Sequence, residues 1–464
     1  MSRDLRPVLF AQHCKACGRC IEACAHHCIE PGLELLPATG CAPVSLHLEA
    51  CTGCGLCWDA CPEPYGLMPA LPAERGVAPA AEGPYTVVRP KAEAREVPDE
   101  RMPLPATPPL MLKGTHASAI GALLAGCRHF FGYPITPSTE GAELMARVLP
   151  ALGGVFVQSV SEVAAINSVY GCGAAGRRAL TFTSSPGFSL MLEGLSYMVG
   201  AEVPGVVVNV MRGGPGLGNI APEQSDIKLA CRGLGHGNTH AIVLAPGTPQ
   251  EMLDLTYLAF ELALRYRNPV VVLADGYLGQ MTGRVSLPPA LVAPGLPSWA
   301  VAGDAEHRKN LVTSIFLAEA DLEAHNRALI AKYERMTLHE QRADVFRVDD
   351  ADVLLVACNT PARTAKGAVR TLRERGVRAG LFRPLTLWPF PIQALRRLLR
   401  PGVCLLVVEA GDGQLEDELR LALSVAGLAT PRLAHLRRHG GVLPTAAEIV
   451  DAALEVARAE GAAA

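Results

Sequence analysis

The sequence predicts an α/β chain in three parts: a small cysteine-dense α+β unit, a large parallel-sheet domain and a smaller α/β domain. Three observations predict it. Ten of the fifteen cysteines fall between Cys14 and Cys61. Residues 62–110 carry 12 prolines in 49 positions, with little periodicity. After Met111, helical patterns alternate with short apolar runs, and runs such as GVVVNV and PVVVLA are apolar throughout. Strands covered on both faces of a parallel sheet read in that way.

The first part rests on spacing. Residues 14–24 read CKACGRCIEAC and residues 51–62 read CTGCGLCWDACP. Both are C-x2-C-x2-C-x3-C. Three closely spaced thiolates can close on one face of an iron–sulfur cubane while the fourth reaches the other cluster. The pattern therefore assigns Cys14, Cys17, Cys20 and Cys61 to one [4Fe–4S] cluster, and Cys51, Cys54, Cys57 and Cys24 to a second. Structural zinc takes separated pairs around one tetrahedron and fits this doubled run poorly. The region resembles bacterial-type two-cluster ferredoxins, with Ala25 after Cys24 where that family usually has proline. Cys28 and Cys41 are left over and read as free, partly buried thiols.

The domain boundaries follow. Residues 1–65 form the ferredoxin-like unit. Residues 66–110 are a proline-rich linker, extended and semi-rigid, for which wrapping over a neighbour is favoured over a disordered tether. Residues 111–285 carry helices over 115–127, 138–149, 161–175, 187–201, 221–232 and 247–266. Between them come strands over 129–132, 154–159, 179–183, 205–211, 240–244 and 269–274. Residues 286–346 are a connecting loop and a long polar helix, roughly 316–346. Residues 347–464 form the second α/β domain, starting at DVLLVACN.

Net charge is only −3 and charged residues are 19%, so composition does not suggest a nucleic-acid or membrane surface. No apolar run reaches 18 residues, so no span is expected. The expectation is a soluble, cytoplasmic protein.

Open α/β sheets bind ligands at the carboxyl ends of their strands. Four motifs fall at such ends. In GYPITPSTE (132–140), Pro134 and Pro137 restrict the backbone on either side of Thr136, and Ser138 or Thr139 can cap the next helix. In QSVSEVAAINSVYGCGAAG (158–176), Glu162 opens a helix whose other residues are small and apolar, so its carboxylate needs a partner. TFTSSPGFSL (181–190) supplies hydroxyls. In NVMRGGPGLG (209–218), Arg212 ends an apolar strand and runs into glycines, which suits a carboxylate ligand.

These motifs, with TSSPGFSLMLEGLSY and RGGPGLGNIAPEQSD, resemble the α subunit of 2-oxoacid:ferredoxin oxidoreductases over about residues 111–460. LFRPLTLWPFP and VVEAGDGQ are similar to that subunit's second domain. The chain thus looks like a fusion of the family's ferredoxin-like δ subunit with α. The resemblance implies a pyrimidine-type thiamine-diphosphate-binding domain and a transketolase-C-terminal-like domain. It implies CoA-dependent oxidative decarboxylation of a 2-oxoacid to acyl-CoA and CO2. Thiamine diphosphate with Mg2+ would be shared with a β subunit that brings the pyrophosphate–Mg2+ site and a further [4Fe–4S] cluster. A γ subunit, and ferredoxin or an NAD-linked subunit as acceptor, complete the implied partners. Residues 411–413, GDG, begin a pyrophosphate motif but lack the Asn-Asn expected 25–30 residues later, and read as a strand-end turn.

Carried onto matching positions, Glu162 would hydrogen-bond the cofactor's aminopyrimidine, Thr136 would meet the substrate's carboxyl end and Arg212 would pair with the 2-oxoacid carboxylate. The substrate is 2-oxoglutarate or a branched or aryl 2-oxoacid. A 2-oxoglutarate enzyme needs a second cation, for which Lys228, Arg232, His236 and His240 are the nearby candidates. The rival readings are a non-redox thiamine-diphosphate transferase and an electron-transfer scaffold with a silent α domain.

Overall fold

The computed structural model describes residues 6–37, 39–63, 65–69, 94–304, 306–307 and 310–461. The chain divides into two compact units, Met1–Arg89 and Pro90–Ala464.

In the first unit each cysteine triplet is a loop that ends in a short helix, Arg19–Ala23 or Leu56–Asp59. Both loops use the same backbone. Ala16 and Gly53, then Gly18 and Gly55, have positive φ. Such residues turn successive N–H groups to one side and leave an anion-receptive hollow. Glycine adopts this conformation freely; Ala16 holds it against its own β-carbon. Two antiparallel ribbons flank the loops, Pro7–Leu9 with Leu67–Pro69 and Ile29–Glu30 with Ser45–Leu46. The small core gathers Cys20, Cys28, Ile29, Val44, Cys57 and Leu67.

The first ribbon moves a boundary. Leu67–Pro69 falls inside the stretch expected to be linker, yet it pairs with Pro7–Leu9 and buries Leu67. The middle of that stretch, 70–93, lies outside the described residues. Its far end is an extended arm within the second unit. Glu100–Pro103 pairs with Ala290–Ala293, Val97 bridges Leu296, and Asp99 forms an ion pair with buried Arg178.

The second unit holds two sheets. The larger runs Thr386–Trp388, Ile242–Leu244, Pro269–Asp275, Gly205–Met211, Ala179–Thr183, His129–Gly132, Val155–Gln158. All neighbours are parallel except the first pair. Alternation sorts the strands' side chains between two cores. Val206, Val208 and Val210 pack with residues of the helices Gly114–Leu124 and Pro249–Tyr266. Val207 and Met211 join residues of Glu162–Ala174 and Leu192–Gly200. Gly121 lets the first two helices touch, since a β-carbon there would strike the Leu253 carbonyl.

The smaller sheet runs Ala343–Phe346, Ala379–Pro384, Val353–Val356, Cys404–Glu409, Arg432–Arg437. Leu354 and Val356 share a core with the larger sheet's Val207 and Met211, while Val353 and Leu355 face the helices Asn359–Glu374 and Ala446–Gly461. The domains are also joined by strand pairing: Thr386–Trp388, beyond the second domain's boundary, is an edge strand of the first sheet.

Three expected helices change. The long one runs Glu319–His339, not to 346, because Ala343–Phe346 pairs antiparallel with Ala379–Pro384 and closes the second sheet's edge. The helix expected over 187–201 is two, Ser185–Leu190 and Leu192–Gly200. The one expected over 221–232 is only Ile227–Arg232, because Glu223 and Gln224 are used in contacts between the domains. The GDG of 411–413 is a turn between the strand Cys404–Glu409 and the helix Gln414–Val425.

Candidate functional site

The four motifs meet at the carboxyl ends of adjacent strands of the larger sheet. Arg212 follows the strand Gly205–Met211, its guanidinium buried. Arg212 Nη1 donates to the Thr136 carbonyl at 2.8 Å and Nη2 to the Leu217 carbonyl at 3.3 Å. Arg212 therefore ties the GYPITP turn to its own glycine loop. Its Nε is buried without a partner. Thr136 itself is exposed, and Gln280 Nε2 donates to the Pro137 carbonyl at 2.9 Å to hold the turn from its other side.

The caps differ from expectation. Ser138 stands before the helix Thr139–Val148, but its Oγ donates back to the Ile135 carbonyl at 2.8 Å instead of capping. The hydroxyl stiffens the turn rather than the helix.

Glu162 opens the helix Glu162–Ala174, whose N-cap Ser161 accepts from the Ala164 N–H at 3.2 Å. Its carboxylate is buried while its neighbour Val160 is 88% exposed. Gly187 makes the room. A β-carbon there would collide with both Glu162 Oε1 and Thr183 Oγ1. Glu162 thus lies against the end of the strand Ala179–Thr183 and the start of the helix Ser185–Leu190. Ser185 in turn reaches Arg212: its Oγ accepts from the Arg212 N–H at 3.1 Å. Thr136, Glu162 and Arg212 therefore belong to one connected set of strand-end loops. Buried polar atoms without partners gather there, Ser159 Oγ, Ser184 Oγ and Arg212 Nε. Such atoms mark a place where a polar ligand can be accommodated.

One residue of this set escaped the sequence reading. Asp226 precedes the helix Ile227–Arg232 and looks like an ordinary cap, but its side chain makes no capping bond. It turns inward instead and accepts from Ser185 Oγ at 2.5 Å and Asn209 Nδ2 at 2.9 Å. Burial raises its pKa, and the bonds from Ser185 and Asn209 oppose the rise. The available signal was Asn209, a polar residue inside an otherwise apolar strand that needs a buried partner.

The four candidates for a second cation do not behave as one group. Arg232 Nε pairs with Glu418 of the second domain at 2.7 Å. His240 stacks on Trp388 with ring centroids 4.6 Å apart and meets Tyr333 edge-on. Burial lowers its pKa. Lys228 and His236 are exposed.

The two domains are clamped beside the site. Gln224 Nε2 donates to Cys358 and Asn359, and its Oε1 accepts from the Ala410 N–H. Asp275, fully buried at the end of its strand, accepts from Leu278, from the Thr360 N–H and from Thr360 Oγ1. Arg383 holds Glu251 through two bonds of 2.5 and 2.8 Å.

Around the strand ends the surface is apolar. Tyr133, Val160, Val163, Leu190, Leu217 and Ile220 are all exposed, Leu217 by 80%.

In the cysteine-dense unit the thiols sort into two groups. Cys20 is buried within range of Cys14, Cys17 and Cys61, and burial, with Cys14 next, pushes its thiol up to about 11. Cys57 lies within range of Cys24 and Cys51. One cavity is lined by Cys24, Cys51, Cys54 and Cys57, and also by Cys28. Among the described residues no three His, Cys, Asp or Glu side chains close on a single ion, whereas a cubane asks only that each thiolate reach its own iron. An all-thiol lining with N–H-rich loops fits an iron–sulfur cluster. Among the described residues no helix is long and apolar enough to cross a membrane.

Comparison with known proteins agrees with this geometry. Residues 120–339 match the thiamine-diphosphate-binding model of pyruvate flavodoxin/ferredoxin oxidoreductases. Residues 351–449 match core domain II of pyruvate:ferredoxin oxidoreductase, and residues 44–63 match a 4Fe–4S binding domain. The ketoisovalerate oxidoreductase subunit VorB of Methanothermobacter thermautotrophicus is 48% identical over 75% of this chain and 97% of its own length. The 2-oxoglutarate synthase subunit KorA of Archaeoglobus fulgidus is 40% identical over 67% of this chain and 90% of its own. A solved 2-oxoglutarate:ferredoxin oxidoreductase from Magnetococcus marinus, with 2-oxoglutarate, coenzyme A and succinyl-CoA bound, aligns with a TM-score of 0.68 at 28% identity. That alignment covers 75% of this chain and 65% of the solved one.

Proposed function

This chain belongs to the 2-oxoacid:ferredoxin oxidoreductases, as a ferredoxin-like domain fused to an α subunit, and we propose that it serves the CoA-dependent oxidative decarboxylation of a branched-chain 2-oxoacid. The observation that carries this reading is that Thr136, Arg212 and Glu162 stand on one connected set of strand-end loops that also carries unpartnered buried polar atoms. Thiamine diphosphate, when bound, supplies the electron sink for decarboxylation. Glu162 offers a buried carboxylate to the aminopyrimidine. Arg212 Nε is free to meet the substrate carboxylate, while Nη1 keeps Thr136 at the same place. Fixing these groups before substrate arrives avoids an ordering cost in the transition state.

The exposed apolar rim supports a partner β subunit that covers the site and brings the pyrophosphate and Mg2+ ligands; patches of this kind mark protein contacts. A γ subunit and a ferredoxin or NAD-linked acceptor complete the assembly. Two clusters collect the electrons, one on Cys14, Cys17, Cys20 and Cys61, the other on Cys24, Cys51, Cys54 and Cys57. The grouping of Cys20 with Cys14, Cys17 and Cys61 supports the crossed assignment.

The substrate assignment rests on two observations. Of the four candidate cations, Arg232 is spent on Glu418 and His240 on the Trp388 stack, while Lys228 and His236 are exposed to solvent, so no buried cation is free to hold a distal carboxylate among these four. The ketoisovalerate relative is also more similar than the 2-oxoglutarate one. The test is anaerobic viologen reduction with CoA by the complex copurified through this chain. The highest kcat/KM is expected with 3-methyl-2-oxobutanoate. Preference for 2-oxoglutarate would overturn the substrate assignment. No reduction with any 2-oxoacid, with clusters and thiamine diphosphate bound, would overturn the catalytic reading.

A further inference from the structure

The second cysteine group has one sulfur too many. Cys24, Cys51, Cys54 and Cys57 suffice for the four irons of a cubane, yet Cys28 lines the same cavity and is only 2% exposed. The chain brings it there by a tight turn. His27 takes a positive φ of 50°, its N–H donates to the Cys24 carbonyl at 3.0 Å, and the Cys28 N–H donates to Cys24 Sγ at 3.3 Å. The Cys28 thiol lies within range of both Cys24 and Cys51, which line the same cavity. In the structure its S–H donates to the His26 carbonyl at 3.5 Å, an acceptor weaker than a cluster thiolate.

Among the described residues the first group shows no counterpart. The residue four places after Cys61 is Tyr65, which is 63% exposed, and the residue directly after Cys61 is Pro62, which has no N–H to give. The two halves share their loop backbone but differ here.

We propose that Cys28 is a positioning residue for the second cluster: its backbone N–H donates to Cys24 Sγ, its thiol, in the same cavity, turns its S–H from the His26 carbonyl to a ligand thiolate when the cluster is bound, and the two donors set that cluster's reduction potential above the first. Hydrogen bonds to ligand sulfurs stabilise the more negative, reduced cluster and so raise its potential. The second cluster is then the one that holds the electron. This rests on the two-cluster reading above.

The test uses the intact complex with the parent chain, Cys28→Ser, Cys28→Ala and, as a control outside the cavity, Cys41→Ala. Iron and acid-labile sulfide are counted, and midpoints are read by potentiometric titration followed by electron paramagnetic resonance. Cys28→Ala should keep both clusters and move one midpoint to more negative values while the other stays. Cys28→Ser, which retains a donor, should move it less, and Cys41→Ala should move neither. Unmoved midpoints in Cys28→Ala with full iron content would overturn the proposal alone. Loss of one cluster in Cys28→Ala would also overturn it, because Cys28 would then be a ligand. A parent chain holding fewer than two clusters would sink the underlying assignment, and the proposal with it.

Discussion

Gly187→Ala tests the site through a single β-carbon. In the structure that carbon would overlap Glu162 Oε1 and Thr183 Oγ1 and crowd Glu162 Cγ at 2.8 Å. Restoring ordinary carbon–oxygen contact requires the carboxylate to retreat by about 1 Å. Glu162 cannot move freely, since it is buried in the first turn of a helix whose cap is already made. Overpacking of this kind costs about 1–3 kcal/mol of stability. Misplacing a reacting group by about 1 Å can cost ~100-fold in rate. The expected result is a fall of that order in kcat for CoA-dependent viologen reduction, with iron content unchanged. Gly171→Ala, on the same helix but with open space around the new carbon, is the matched comparison. It should leave turnover unchanged and stabilise the helix by about 1 kcal/mol or less. Near-parental kcat in Gly187→Ala, with a lowered melting temperature proving that the strain is present, would remove Glu162 from the mechanism.

Three further outcomes follow from the geometry. Arg212→Ala removes the bonds to Thr136 and Leu217; kcat/KM for the 2-oxoacid should fall by ~30-fold or more, with the KM for CoA unchanged in steady-state kinetics. Arg383→Ala strands the Glu251 carboxylate at the clamp between the domains; chemical denaturation should show a loss of about 3 kcal/mol. Burial lifts the Glu409 carboxyl from its ordinary 4.5 to about 7. Between those values the folded chain keeps a proton that the unfolded chain has released. Its contribution is full below about 4.5 and lost as pH rises through about 7. Glu409→Gln should therefore gain thermal stability relative to the parent as pH rises from about 5 to about 8; parallel curves would show that Glu409 does not titrate there.

Much of the architecture was legible because it depends on local pattern. The strands His129–Gly132, Ala179–Thr183 and Gly205–Met211 lie where their apolar runs put them, since a strand buried on both faces tolerates little else. The cysteine loops were legible from spacing, which is itself a statement of how far a loop can reach, and residues 44–63 match a 4Fe–4S binding domain. Tertiary contact decided the rest. A short run such as Ala343–Phe346 is helix or strand according to whether a sheet edge stands beside it, and here the strand Ala379–Pro384 does. Asp226 reads as a cap until Asn209 and Ser185, far from it in sequence, are brought to its carboxylate. Cys28 reads as a spare thiol until the turn through His27 returns it to Cys24. By itself the sequence determined most strands of the larger sheet and the two cysteine loops, because periodicity and ligand spacing act over a few residues. Only the tertiary structure decided which polar groups share a buried place, because a buried group's partner is chosen by the fold and not by its distance along the chain.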